Sequence, residues 1–492
     1  MRRRDLLAAL PVALTFPTPA PAQTLALSER MRRRAKALAA LPYSPPVRAL
    51  PAALANLDYD AYRDLRYRPD RAVWRELGLP FQLQMFARSG SHADRVEISE
   101  AVEGVVQPIA YRPDLFTAGP LVPGALAPDL GFAGFRIHAL INDPGRFDEF
   151  AVFLGASYFR AVPQGGAYGL SARGIELGSG DEGEEFPAFR SFIIERPVPD
   201  APAITVHALL DGPSVAGAYR FVIAPGEATV FDVTATLFPR RDLANVGIAP
   251  LTSMFLFGAD RPGRFDDFRP EVHDSDGLLV EQGPDSRLWR PLINPDRVEI
   301  SVFDRPGGFG LLQRTRGIDA YQDLEANYHQ RPGAWVEPLR DWGRGAARLV
   351  ELPTRLETED NIVASWRPTT PLKAGQEHRF DYRLHWSASP SPLNPLAQTT
   401  LWRSGAAGGP RHRRFVVEFS PLDRAALSNA ALEVTASAGR ILHPTLQAND
   451  FDQAARVSFV FDPGEASASD LTARLSGPAG AFSETWRTRW RA

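Results

Sequence analysis

The stretch EATVFDVTATL, Glu227–Leu237, follows a Pro225-Gly226 turn and has period-two character through Val230, Asp232, Val233 and Thr234. Period two marks a strand with one face on a core and the other turned outward. The pattern recurs on either side. Upstream, Phe135, Ile137, Ala139 and Ile141 alternate with Arg136, His138 and Leu140. Ile204–Leu210 and Ala218–Ile223 flank the turn residues Asp211-Gly212-Pro213, and Arg297–Phe303 alternates again downstream. Strands repeating at this short spacing argue an all-β, antiparallel sandwich rather than α/β units. No strand runs into a glycine-rich phosphate loop, so nucleotide chemistry has no support.

At 492 residues the chain exceeds one hydrophobic core and should divide into two or three domains. Its 44 prolines and 39 glycines favour short strands and turns over long helices. Net charge is −3, and setting aside three arginines and one aspartate in residues 1–22 leaves −3 − 3 + 1 = −5. A nucleic-acid partner is therefore not expected. The absence of cysteine excludes thiolate metal sites, a cysteine nucleophile and disulfides, and suits an exported protein.

Residues 1–22 read as a signal peptide: Arg2–Arg4, an apolar run Leu6–Phe16, then the small-residue site Ala20-Pro21-Ala22. Arg3-Arg4-Asp5-Leu6-Leu7 is similar to a twin-arginine export signal, with an ordinary secretory signal as the alternative. The run is too short to span a bilayer and no longer one follows, so a periplasmic protein without stable membrane insertion is expected. Residues 24–41 have helical period through Leu25, Leu27, Met31, Ala35, Leu38 and Leu41, which fits a short helix packed on the main domain. A second short helix is expected around Tyr59–Leu65. SASPSPLNPLAQ (Ser387–Gln398) reads as a linker, dividing a domain at 23–386 from one at 399–492. Beyond it, Phe415–Phe419, Leu432–Ala436, Ala455–Phe461, Leu471–Leu475 and Ser483–Trp490 are short strands on the scale of an immunoglobulin-like sandwich.

Aromatic and ionisable residues are densest in 246–366, in DDFRPEVHDSDGLLV (Asp266–Val280), FGLLQRTR (Phe309–Arg316), RPGAWVEP (Arg331–Pro338) and ELPTRLETEDNIVASW (Glu351–Trp366). Flat rings for stacking, arginine forks for hydroxyls and paired carboxylates for acid–base work are the chemistry of a sugar-binding groove. The same residues also fit a β-protein with solvated loops and a few buried ion pairs. Asp360 precedes the apolar Ile362-Val363-Ala364, with Glu357 and Glu359 close by. That setting raises the pKa of an acid, though a turn aspartate leading into a strand fits as well. Asp274 and Asp276 flank Ser275 before Gly277, with too few spaced oxygen ligands for a calcium loop, so neither metal nor cofactor is expected. His273 is placed either to orient its neighbour or to face solvent from a loop. Tyr328, Trp335 and Trp289 are candidate stacking platforms, and Arg331 and Arg316 candidate hydroxyl donors. With His273 and Glu357 these complete the expected substrate-contact set. Trp74, Trp366, Trp402 and Trp486 are expected in the core. No serine sits in a nucleophile elbow.

Eight ordered stretches resemble the periplasmic glucan biosynthesis proteins of the G and D type. They are LPYSPP (Leu41–Pro46), LDYDAYRDLRYRPDRAVWRELGLPFQLQMF (Leu57–Phe86), GIAPLTSMFLFG (Gly247–Gly258), FRPEVHDSDGL (Phe268–Leu278), WRPLINP (Trp289–Pro295), GFGLLQR (Gly308–Arg314), RPGAWVEP and ETEDNIVASW (Glu357–Trp366). The resemblance implies a large galactose-mutarotase-like β-sandwich followed by an immunoglobulin-like one, with a β-1,2-glucan as ligand and a homodimer as a candidate assembly. It also implies an inverting endo-β-1,2-glucanase or a related transglycosylase, with Asp360 as acid and Asp274, or second Asp276, as base. A non-catalytic glucan-binding or scaffold protein is the alternative. One departure favours that alternative: family members carry Tyr-Asp before this Arg-Pro, where this chain has Tyr328-His329-Gln330-Arg331-Pro332.

Overall fold

The alternating stretch forms the strand Thr229–Pro239, paired antiparallel with Val215–Ala224 on one side and His378–Ser387 on the other. Its inward Phe231, Val233, Ala235 and Leu237 are buried, while Asp232 turns outward to an ion pair with Arg383 at 2.6 Å. The computed structural model describes residues 21–492 except 123, 125, 182, 261–263, 284, 305, 393, 423 and 479. The export-signal reading of residues 1–22 thus falls outside the described residues, save for Pro21 and Ala22.

Two sheets face each other, as the strand periodicity implies. The first runs Phe81–Ala87, Phe132–Asp143, Arg146–Leu154, Tyr158–Ala161, Ser171–Arg173, Val246–Ser253, Ile362–Pro368, Gly345–Glu351 and Glu299–Asp304. The second carries Thr229–Pro239 at its centre, with Ile204–Asp211 and Ala188–Glu195 beyond Val215–Ala224. On its other side His378–Ser387 leads to Gly333–Pro338, Gly308–Leu312, Gly277–Gly283 and Ser286–Pro291. Phe135, Phe153 and Phe159 of the first sheet interlock with Phe192, Phe221, Phe231 and Trp386 of the second, ring centroids 5.0 to 6.4 Å apart. Edge-on and stacked aromatic packing of this density fixes the spacing of the two layers.

The helix Pro21–Ala39 lies across the outer face of the second sheet. Leu27, Met31 and Ala35, four residues apart on one stripe, are buried against Ile193, Leu209, Ala218 and Phe238. Leu41, expected on that stripe, lies past the helix end and is 59% exposed. The second short helix spans Tyr59–Arg63, capped by Asp58 accepting from the Ala61 amide at 2.9 Å.

Beyond the linker, a four-stranded sheet (Gln398–Ala406, Arg413–Ser420, Ala454–Asp462, Arg440–Asn449) faces Ala431–Ala436, Ala468–Gly477 and Thr485–Arg491. The last of these continues the second large sheet, since Leu288 and Trp289 pair in parallel with Thr485 and Trp486. The linker is held rather than loose: Leu396 and Ala397 are buried, and the Pro392 carbonyl accepts from Arg287 at 2.9 Å. The described residues are all-β in class, with helix confined to Pro21–Ala39 and a few single turns such as Tyr59–Arg63, as the periodicity implies.

Candidate functional site

Asp274 and Asp276 sit on a turn that the core grips at each peptide. Val272-His273 pairs with Phe255–Phe257, the Asp274 amide donates to Met254 O, and the Asp276 amide to Leu312 O, both at 2.9 Å. Gly277 ends the turn beneath Trp289, where a Cβ would lie 2.1 Å from the indole ring, so no larger residue fits. Asp360 is set on the facing loop by its neighbour. Asn361, buried, accepts from the Phe255 amide at 2.8 Å and donates to the carbonyls of Phe255 and Leu352. The segment Phe255–Phe257 therefore anchors both aspartate-bearing pieces.

Asp360 is reachable from solvent, with 32% of its side chain exposed and Arg160 Nη2 at 4.0 Å. Asp274 is nearly closed off, at 7% exposure, and accepts from Arg331 Nη1 in a tight ion pair. Burial pushes the Asp274 carboxyl up. The Arg331 guanidinium pulls it back, and the nearby Asp360 carboxylate adds to the rise. The two carboxyl groups are thus close enough to interact electrostatically.

Arg331 is itself fixed, donating to the Ala326 carbonyl from Nε (3.1 Å) and Nη2 (2.9 Å) and lying 4.2 Å over the Tyr328 ring. Tyr328 is buried and donates its hydroxyl to Glu357 at 3.1 Å. Glu357, partly exposed, is also paired with Arg269 at 2.8 Å, and Arg269 reaches Asp267 and Asp323. Tyr328, Arg331 and Glu357 are thereby brought together with Asp274.

The other expected contacts lie elsewhere. Trp289 and Trp335 are not stacking platforms: both are sealed in the core that the two sandwiches share, with Val417, Phe459 and Trp486. Their faces are spent on protein. Arg316 is no free hydroxyl donor, because it clamps the carbonyls of Arg331, His329 and Ala388. His273 does not face solvent. It is fully buried, 2.8 Å from Glu271 through Nε2 and 2.9 Å from Gln313 Oε1 through Nδ1. Gln313 Nε2 is committed to the carbonyls of His273 and Tyr328, which turns its oxygen toward the ring. Both ring nitrogens then donate, which requires the imidazolium. Burial draws the His273 pKa down, but Glu271, with Asp276 and Gln313, outweighs this and leaves it raised.

Asp276 has a different set of partners. Its Oδ2 accepts from the amides of Arg314 (2.8 Å) and Thr315 (2.9 Å), and its Oδ1 is buried without a hydrogen-bond partner. Burial pushes its carboxyl up, against the pull of His273 and the two amides.

Residues that sequence reasoning missed complete the cleft. Tyr158 and Arg160 alternate with the core residue Phe159, so they occupy the opposite face of the first sheet. With His92 and Leu154 they line a depression of about 210 Å³, which shares His92, Leu154 and Tyr158 with a neighbouring one of about 260 Å³ reaching Phe186. The Arg173 guanidinium lies 4.7 Å from the Tyr158 ring centroid and 5.3 Å from that of Phe186, which is 51% exposed. The exposed Phe186 and the half-buried Tyr158 thus lie along these depressions, and Arg160, which lines one of them, reaches Asp360 at 4.0 Å. The period-two reading of Tyr158-Phe159-Arg160 was the available signal.

Glucans biosynthesis protein G of Rhodopseudomonas palustris (strain BisA53) is 47% identical over 502 residues, covering 100% of both chains. Glucans biosynthesis protein G of Vibrio cholerae (strain ATCC 39541) is 47% identical over 466 residues, covering 93% of this chain and 85% of its own. The solved α-galactosidase AgaA of Geobacillus stearothermophilus aligns at a TM-score of 0.26 and 10% identity, over 46% of this chain and 32% of its own, too slight a likeness to bear on fold or chemistry. The model of the periplasmic glucan biosynthesis protein family, MdoG, matches residues 28–490, and the chain belongs to that family.

Proposed function

We propose that this chain cuts or transfers the backbone of a β-1,2-glucan in the periplasm, with Asp360 as general acid and Asp274 as base. The observation that carries this reading is the placement of Asp360, open to solvent 4.0 Å from Arg160, which lines the depression beside Tyr158, and within electrostatic reach of the buried Asp274. In an inverting cleavage, Asp274 takes a proton from water as the water oxygen bonds to the anomeric carbon. The bond to the leaving sugar oxygen breaks on the opposite face, and that oxygen takes the proton of Asp360. When a sugar hydroxyl replaces water, the same steps give transfer instead of hydrolysis. Arg331 keeps Asp274 oriented, and Tyr158 and Phe186 offer faces for sugar rings.

A specific observation favours a second assignment of roles. Burial raises Asp274, whereas Asp360 is the more solvated carboxyl, and a buried carboxyl is the usual proton donor. A β-1,2-glucoside with a leaving group that needs no protonation separates the two. It restores turnover to Asp360→Asn if Asp360 is the acid, and to Asp274→Asn if the roles are exchanged. The non-catalytic alternative rests on His329, which stands where relatives of the resemblance carry a carboxylate. Incubation with linear β-1,2-glucan tests it, since a pure binder leaves the chain-length distribution unchanged.

A further inference from the structure

A second cavity, of about 200 Å³, opens at the seam between the two sandwiches. Phe255, Glu271, His273 and Asp276 line it from the first, and Trp402 and Arg403 from the second. Three features mark it as built to receive something. Asp276, 1% exposed, lines it with its Oδ1 left without a partner, although Oδ2 is saturated by backbone amides. Burying an unsatisfied carboxylate oxygen is costly unless a donor completes it. Trp402 was expected in the core but is only partly buried, its ring edge-on to Trp289 at 5.9 Å. Arg403 follows it, on a strand that the bidentate Arg314–Glu484 pair ties to the Asp276 turn. Among the described residues no three metal-ligating side chains converge, so the cavity has no cation geometry.

Hydroxyl donors for a lone carboxylate oxygen, a flat apolar face for an indole and a volume on the scale of a hexose describe one ligand class. We infer that this seam cavity is a glucosyl-binding subsite, separate from the Asp274–Asp360 cleft, in which a sugar hydroxyl donates to Asp276 Oδ1 and the ring lies against Trp402. The inference rests on the glucan reading of the chain but not on any cleavage by it. It gives the second sandwich a direct part in holding the polymer.

The test uses the full chain labelled with 5-fluorotryptophan and titrated with sophorose, the β-1,2-linked glucose disaccharide, followed by fluorine NMR. The Trp402 resonance is assigned as the one missing from Trp402→Leu, which keeps apolar packing on Trp289 should alanine unfold the seam. Sophorose should shift the Trp402 resonance and leave those of Trp74 and Trp366 in place, and Arg403→Ala should weaken the response about tenfold. A Trp402 resonance that stays put at saturating sophorose overturns the subsite. A protein that never shortens β-1,2-glucan yet shows the shift refutes the catalytic reading alone. One that cuts the glucan but shows no shift refutes the subsite alone.

Discussion

Asp360 and Asp274 differ in surroundings more than their shared chemistry would imply, and that difference sets what each substitution should do. Asp360→Asn keeps shape and one acceptor oxygen on a solvated loop, so melting temperature and glucan binding should hardly change. Cleavage of linear β-1,2-glucan should fall by about 10²–10⁴-fold, the usual loss for a general acid. Asp274→Asn should also inactivate, but it leaves the Arg331 guanidinium without its counter-charge, so a lower melting temperature should accompany it. His273 carries a separate signature. Its folded pKa is raised above the ordinary 6.5, so its stabilisation is full below about pH 6.5 and is lost as pH rises through the folded value. Thermal melts from pH 6.5 upward should decline for the wild type and decline less for His273→Gln. The pairing of His273 with Gln313 and of Arg331 with Asp274 was invisible in sequence, because each joins segments far apart in the chain.

At the scale of elements, strands were legible wherever one face meets the core and the other solvent, as in Phe132–Asp143 and Thr229–Pro239. The pattern fails where both faces are covered. Ser286–Pro291 and Gly333–Pro338 lie between the main core and the second sandwich, so nothing in their sequence marks Trp289 and Trp335 as sealed rather than offered to a ligand. The seam they form is pinned by Arg314, whose guanidinium lies 3.7 Å from the Trp289 ring centroid and forks onto Glu484 at 2.8 Å. Glu484 is 1% exposed on its side chain and also accepts from the Thr399 amide. Glu484→Ala leaves that largely buried cation without its counter-charge, and should cost about 3–5 kcal/mol in denaturant unfolding. A loss below about 1 kcal/mol would mean that the seam is held by its tryptophans alone.

For the whole molecule, the sequence implies two sandwiches and carries an ordered set of family motifs, while the depressions along Tyr158, Arg160 and Phe186 emerge only when separate segments of the chain meet. The first sandwich holds every residue assigned to the cleft, and the second completes the core around Trp289. An isolated 399–492 fragment should therefore keep its strands, melt below the full chain and show no action on glucan. Export should remove residues 1–22, so that protein recovered from the periplasm begins at Gln23, and Arg3→Lys with Arg4→Lys should leave precursor uncleaved. In the proposed mechanism, two aspartates on facing pieces of the first sandwich break a β-1,2-glucan with inversion. The most direct measurement follows linear β-1,2-glucan by NMR from the first minutes of incubation with wild type and with Asp360→Asn. Wild type should give shorter chains whose new reducing ends appear first as the α-anomer, and the variant none. An unchanged chain-length distribution with the wild type, first products in the β-form, or full activity in Asp360→Asn would contradict this mechanism.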